Sequence, residues 1–254
     1  VVKPVHVGQQ QQQVCPGQFG DAGGQPVVVA QLQFLCGDAV VLVDHGDRAR
    51  FQQYGQRRLR IGRSFARFAV LQGEQQLRDG DIVSIDVGVK VDGWCSDSAW
   101  TFRVGEVSDD VQRLLDVTER SLWAAIEASV PGNHVGDIGA AVMRTVAGTS
   151  FGIIKDLVGH GVGRDVHEEP QVPNHGRAGH GPLLREGMIL AIEPMLSAGA
   201  PDIRTLDDGW TVVTADRTTS AHFEHTVAIT AEGPRVLTAT GAPVHAGSGV
   251  PNGA

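Results

Sequence analysis

Four carboxylates in this chain stand where apolar, strand-like runs end or begin. Asp86 closes the run Ser84-Ile85-Asp86, and Glu193 closes Ala191-Ile192-Glu193. Asp97 lies eleven residues after Asp86 between Trp94 and Trp100, and Glu224 opens the run that ends at Ile229. A carboxylate taken out of water is costly unless something compensates its charge, so four of them on apolar strands of one domain require a shared cation. Carboxylates joined by an imidazole suit divalent Mn, Fe, Co or Zn, and bridging oxygens can hold two such ions a few Å apart. The imidazole candidates are His160, in Gly159-His160-Gly161-Val162-Gly163, and His167, seven residues on. The flanking glycines are read as a turn that lets backbone come close to a ligand. A lone histidine on an apolar face is more often structural, but two beside a glycine turn, with four strand-end carboxylates elsewhere, favour a site.

Other chemistries fit less well. His167-Glu168 does not begin a zincin helix, because Gln171 stands four residues after His167 and Pro170 would break the helix. Gly148-Thr149-Ser150-Phe151-Gly152 matches the pattern of a nucleophile elbow, which requires a strand before it and a helix after it. Here the order is reversed, so a helix-terminating loop is expected.

The elements that would carry these residues begin at Leu77. A turn at Arg78-Asp79-Gly80 leads into a strand at Ile82–Ile85. Val111, Leu114, Leu115, Thr118, Leu122, Ala125 and Ile126 recur at helical spacing, with Ser108 as N-cap and Pro131-Gly132 as stop. A second helix carries Ile138, Val142 and Val146 and ends at Gly148. Strands are expected at Ile153–Val158, Met188–Ile192, Thr211–Thr214 and Thr226–Ile229. One echo organises the region: the turn, strand and terminal carboxylate of 77–86 reappear at 184–193, 107 residues on. That separation is too long for a solenoid repeat and points to two similar halves about an approximate two-fold axis.

Composition sets the outer bounds. The chain has 254 residues, 41% hydrophobic and 20% charged, ordinary for a globular protein. A net charge of −8 argues against nucleic acid as a partner. Cys15, Cys36 and Cys95 are odd in number and irregularly spaced, which argues against a disulfide framework and suits a reducing cytoplasm. The most apolar stretch, 27–43, is interrupted by Gln31, Gln33, Gly37 and Asp38, so no membrane span is expected. Residues 1–26 lack the order of a secretory signal, and the chain begins with Val1, as a fragment or an unusual start would. Residues 1–76 differ from the rest. They hold the glutamine run Gln9–Gln13 and eight basic against five acidic residues, about +3, leaving about −11 for the remainder. The tail, 239–254, is rich in Gly, Ala and Pro and is expected to be disordered.

From Leu77 to Thr238 the motifs closely resemble those of the type I methionine aminopeptidases, metallopeptidases of the "pita-bread" superfamily. They are Ser84-Ile85-Asp86-Val87-Gly88, Asp97, Gly159-His160-Gly161-Val162-Gly163-Arg164, His167-Glu168-Glu169-Pro170, Ile192-Glu193-Pro194-Met195 and Phe223-Glu224-His225-Thr226. Type II enzymes carry a helical insert between the two glutamates, for which the thirty-one residues from Glu193 to Glu224 leave no room. The resemblance implies an α/β (α+β) fold of two pseudo-symmetric halves, a curved antiparallel sheet covered by helices. It implies two divalent ions: Asp86 on one through both oxygens, Asp97 and Glu224 bridging, His160 and Glu193 on the other. Water activated there would attack the first peptide carbonyl, Glu193 would carry the proton to the leaving amine, and His167 would donate to the carbonyl oxygen. Trp210 would wall the methionine pocket. The implied activity is removal of the N-terminal methionine from nascent polypeptides at the ribosome, with a small second residue preferred, by a cytoplasmic monomer. A relative with the same ligands, an Xaa-Pro peptidase, and a non-catalytic peptide-binding module on the same fold are the alternatives. The first usually carries an extra N-terminal domain, and the second typically loses ligands that are present here.

One departure stands out. Family members have a histidine, in a His-Gly-Ile/Val-Pro segment, eighteen residues before the first aspartate ligand. Phe68 occupies that place, and residues 1–76 contain no His-Gly-x-Pro. The expectation is that residues 1–76 arise from a shifted reading frame or a mis-set start; a true variant would have low activity.

Overall fold

The computed structural model describes residues 78–207 and 211–239, together with the short strands Arg60–Ile61 and Ser64–Phe65. Leu77, Phe68, Trp210 and the tail beyond Ala239 lie outside the described residues.

Two helices form where the periodicity places them. Helix α1, Asp109–Ala128, starts at Ser108, whose hydroxyl accepts from the Val111 N–H at 3.4 Å, with Asp109 and Asp110 favouring the positive end of the helix dipole. Its end is closed by the Ser129 hydroxyl, donating to the Ile126 carbonyl at 2.6 Å before Pro131-Gly132. Helix α2, Val135–Val146, follows at once, and the Asp137 carboxylate accepts from the His134 backbone N–H at 2.7 Å. Leu114, Leu122, Ile126, Ile138 and Val142 meet Leu190, Ile192, Leu196, Phe223 and Val227 in one core. Each such side chain, fully buried, stabilises the fold by roughly 1.5–3 kcal/mol. The Gly148–Gly152 segment is the loop after α2, with the Thr149 hydroxyl donating to the Val146 carbonyl.

The strands are antiparallel and carry the site. Ile82–Asp86 pairs with Ala99–Arg103. The largest sheet runs Gly233–Val236, His225–Thr230, Ile189–Ile192, Gly159–Gly161, Glu168–Val172. A second places Met195–Ser197 between Ser220–His222 and Gly152–Ile153. The strand expected at Ile153–Val158 is shorter: the last bond to the neighbouring strand is from the Ile154 N–H to the Met195 carbonyl, at 3.0 Å, and Lys155 and Asp156 then turn outward to solvent. His160 is also not in a turn. It lies on the strand Gly159–Gly161, and its glycines are required because a Cβ there would strike the neighbouring strands, at the Ala191 and Glu169 carbonyls.

The two-fold echo is written in the hydrogen bonds. In the first half the Gly80 N–H donates to the Val104 carbonyl (2.9 Å) and the Val104 N–H returns to Asp81 (2.8 Å). In the second the Gly187 N–H donates to Ile229 (2.9 Å) and the Ile229 N–H returns to Met188 (2.8 Å). Gly80 and Gly187 both have positive φ, 92° and 88°, which these turns need and other residues resist. The halves meet where Ala99 and Glu224 exchange backbone bonds, at 2.8 and 3.4 Å.

Candidate metal centre

Asp86 ends the strand Ile82–Asp86, and Glu193 follows directly on Ile189–Ile192, so the repeated turn-and-strand unit delivers one carboxylate from each half. Asp97 lies just before Ala99–Arg103, and Glu224 between Ser220–His222 and His225–Thr230. All four carboxylates and His160 are buried. Their ligand atoms form overlapping groups within 4.8 Å: Asp86, Asp97 and Glu224; His160, Glu193 and Glu224; Asp97, His160 and His167. The structure thus brings together six of the seven residues singled out from the sequence; the seventh, Trp210, lies outside the described residues.

Each side chain is held by its backbone or ring. The Asp97 N–H donates to Thr226 Oγ1 at 2.8 Å, and that hydroxyl donates back to the Asp97 carbonyl at 2.6 Å. The Asn174 amide donates to the Glu193 carbonyl at 3.0 Å. His160 Nδ1 sits 3.0 Å from the Gly161 carbonyl, which assigns the proton to Nδ1 and leaves the Nε2 lone pair toward the carboxylates. Nε2 is 3.7 Å from Glu193 Oε1 and 3.9 Å from Asp97 Oδ2. His167 stacks at an angle on His160, ring centres 4.2 Å apart, at the exposed mouth of the site. Its loop is tied down at both ends. The Cys95 N–H donates to Gly163 at 2.8 Å, the Arg164 guanidinium lies over Trp94, and Glu168 accepts from the N–H groups of Arg164 and Asp165.

The electrostatics are those of a site built around missing positive charge. Burial, then the charges of Asp97 and Glu193, pushes the Asp86 carboxyl up to about 9, with the adjoining Asp97 side chain adding to the rise. Burial also raises Asp97, against the lowering effects of the Asp86 side chain and of His160. Glu224 is pushed well above the usual carboxylate range by burial and then by Glu193, Asp97 and Asp86. Burial and the neighbouring His160 lower His167, favouring its neutral form. Asp86 Oδ1 and Glu224 Oε1 are buried with no hydrogen-bond partner among the described residues. Buried acceptors left without a donor are rare and ask for one. A divalent cation satisfies both, and an oxygen-rich set with one imidazole fits Mn, Fe, Co or Zn.

Sequence reasoning passed over His222. It is buried, and its Nε2 lies 3.3 Å from Glu193 Oε2. The signal was available: two residues before Glu224 on an extended run, it faces the same side.

Comparison with known proteins agrees with this geometry. The model of metallopeptidase family M24 matches residues 47–231, beginning upstream of Leu77. The chain is 49% identical over 168 residues to methionine aminopeptidase 1 of Bacillus subtilis (strain 168), covering 66% of this chain and 68% of that one. It is 51% identical over 166 residues to the methionine aminopeptidase of Clostridium perfringens, covering 65% and 67%. The crystal structure of methionine aminopeptidase from Thermotoga maritima superposes with a TM-score of 0.65 at 45% identity, covering 67% of this chain and 69% of that one. The prolidase from Pyrococcus horikoshii OT3 superposes with a TM-score of 0.52 at 25% identity, covering 66% and 43%.

Proposed function

The chain belongs to metallopeptidase family M24, and from that premise we propose that it is a metal-dependent aminopeptidase removing the N-terminal methionine of peptide chains. The observation that carries the reading is the convergence of Asp86, Asp97, His160, Glu193 and Glu224, all buried, in overlapping groups within 4.8 Å. Two divalent ions held there supply Lewis-acid activation of water for attack on a peptide carbonyl. Asp86 would hold one ion and His160 and Glu193 the other, with Asp97 and Glu224 contributing to both. Glu193 takes a proton and passes it to the leaving amine. His167, neutral and at the exposed mouth, donates to the carbonyl oxygen as charge develops on it. The free α-amine of the substrate seats against the carboxylates, which restricts cleavage to one residue. Trp210 walls a pocket for the unbranched methionine side chain.

The methionine aminopeptidases match at higher identity, and over a larger share of their own length, than the prolidase does, which favours methionine over an Xaa-Pro specificity. No described helix is long and apolar enough to cross a membrane. Action on nascent chains at the ribosome, in the cytoplasm and as a monomer completes the proposal. So does the assignment of residues 1–76 to an altered reading frame, with 77–238 as the catalytic region. Translating the upstream DNA in the other two frames tests that assignment: failure to find a His-Gly-x-Pro segment in either sinks it.

The direct test of function is an assay of the metal-supplemented chain. Release of methionine from Met-Ala-Ser, with Ala-Pro peptides untouched, is the expected result. Cleavage of Ala-Pro peptides alone would move the chain to the Xaa-Pro peptidases. Absence of bound divalent metal with Asp86 and Glu193 intact would make it a binding module.

A further inference from the structure

We propose that His222 is a positioning residue that divides the work of the two Glu193 oxygens. Glu193 lies between two imidazoles, with Oε1 3.7 Å from His160 Nε2 and Oε2 3.3 Å from His222 Nε2. Oε1 therefore faces the ion-binding side, and Oε2 faces His222. A histidine buried only for packing would normally have its ring nitrogen satisfied. His222 Nε2 is instead buried, close to an oxygen, and without a hydrogen bond of good geometry among the described residues. Its backbone is fixed: Thr101 Oγ1 accepts from the His222 N–H at 2.9 Å and donates to its carbonyl at 2.8 Å. The ring thus waits on a rigid strand for a small rotation of the Glu193 carboxylate. A small turn of the carboxylate would bring Oε2 onto the His222 Nε2–H, so that Glu193 would offer Oε1 to an ion while a donor holds its second oxygen. Partners of this kind are worth about 10–100-fold in metal affinity.

This rests on the two-ion reading of the site, and the test separates the two. Metal-free wild-type protein, His222→Leu, His222→Asn and His222→Gln are titrated with Mn²⁺ by calorimetry, with circular dichroism melts to establish folding. Wild type that takes up no Mn²⁺ would defeat the two-ion reading itself. With two ions bound by wild type, His222→Leu is expected to bind one of them about 10–100-fold more weakly. His222→Gln, which carries an N–H to the same reach, restores affinity to within a few fold, whereas His222→Asn, one bond shorter, does not. If the leucine variant fails to fold, the contrast between glutamine and asparagine carries the test alone. Wild-type affinity in the leucine or asparagine variant, or a glutamine variant as weak as either, overturns the proposal.

Discussion

Asp97 and His222 occupy equivalent places in the two halves of the fold, each gripped by a threonine from the other half. Thr226 Oγ1 bonds both the N–H and the carbonyl of Asp97, at 2.8 and 2.6 Å. Thr101 Oγ1 does the same to His222, at 2.9 and 2.8 Å. The position that gives a carboxylate in one half gives an imidazole in the other.

The two threonines predict a matched pair of variants. Thr226→Val and Thr101→Val each remove a buried hydroxyl that bonds a backbone N–H and carbonyl, and Thr101→Val also takes the partner from the Ser84 hydroxyl, 2.7 Å away. Each should destabilise the protein by about 1–3 kcal/mol in chemical denaturation. Thr226→Val should in addition weaken Mn²⁺ binding, because it frees the backbone of Asp97. Unchanged denaturation midpoints would contradict this account of how the halves are locked.

On the proposed assignment, Glu193→Ala removes an ion ligand and the proton carrier together. Turnover of Met-Ala-Ser should fall below detection, and calorimetry should show one ion lost or greatly weakened. Wild-type rates from this variant would refute the metal assignment.

His167 stands at the mouth and takes no part in the packing of the core. His167→Ala should lower kcat by about 10²–10³ while leaving the metal stoichiometry and the melting temperature close to wild type. A variant that loses metal but turns over normally when metal is restored would show that its role is ligation instead.

Removing metal should reverse the pH dependence of stability expected for a carboxylate-rich protein. The folded-state value of Asp86 is raised, to about 9, and those of Asp97 and Glu224 are raised as well. Between the unfolded carboxylate value near 4 and those raised values, the metal-free fold retains protons that the unfolded chain releases. Metal-free stability is therefore fully present at low pH and is lost as pH rises through that window, by up to about 1.4 kcal/mol per pH unit per proton. Divalent ions displace those protons, so the gain in melting temperature on adding Mn²⁺ should widen from pH 5 to pH 8. Thermal melts with and without a chelator check this; a metal-free melting temperature that rises over the same range would contradict it.

Much of the site was legible because its signals are local. Asp86 and Glu193 each end a short apolar strand introduced by the same glycine turn, a pattern contained within ten residues. The first helix was legible from its Ser108 N-cap to the Pro131-Gly132 stop for the same reason, and it ends just short of that stop, at Ala128. What escaped depends on distant pairing. Gly159 and Gly161 look like turn glycines until the strands Ile189–Ile192 and Glu168–Val172 are laid beside them. The expected strand through Val158 breaks because its partner strand, Met195–Ser197, begins at Met195, opposite Ile154, and offers nothing further on to pair with. His222 was overlooked because its partner, Glu193, is distant in sequence, and only the fold makes them neighbours.

The backbone exchange between Ala99 and Glu224 carries a last consequence. These two residues are counterparts across the pseudo-two-fold, so two identical halves would bring either two glutamates or two alanines to the centre. The first would add a fifth carboxylate to a buried cluster that already holds four; the second would remove one of the carboxylates assigned to the proposed metal site. The candidate site therefore depends on a difference between the two halves, and Ala99 is as much a part of that difference as Glu224: its methyl group keeps a fifth carboxylate out of the buried cluster.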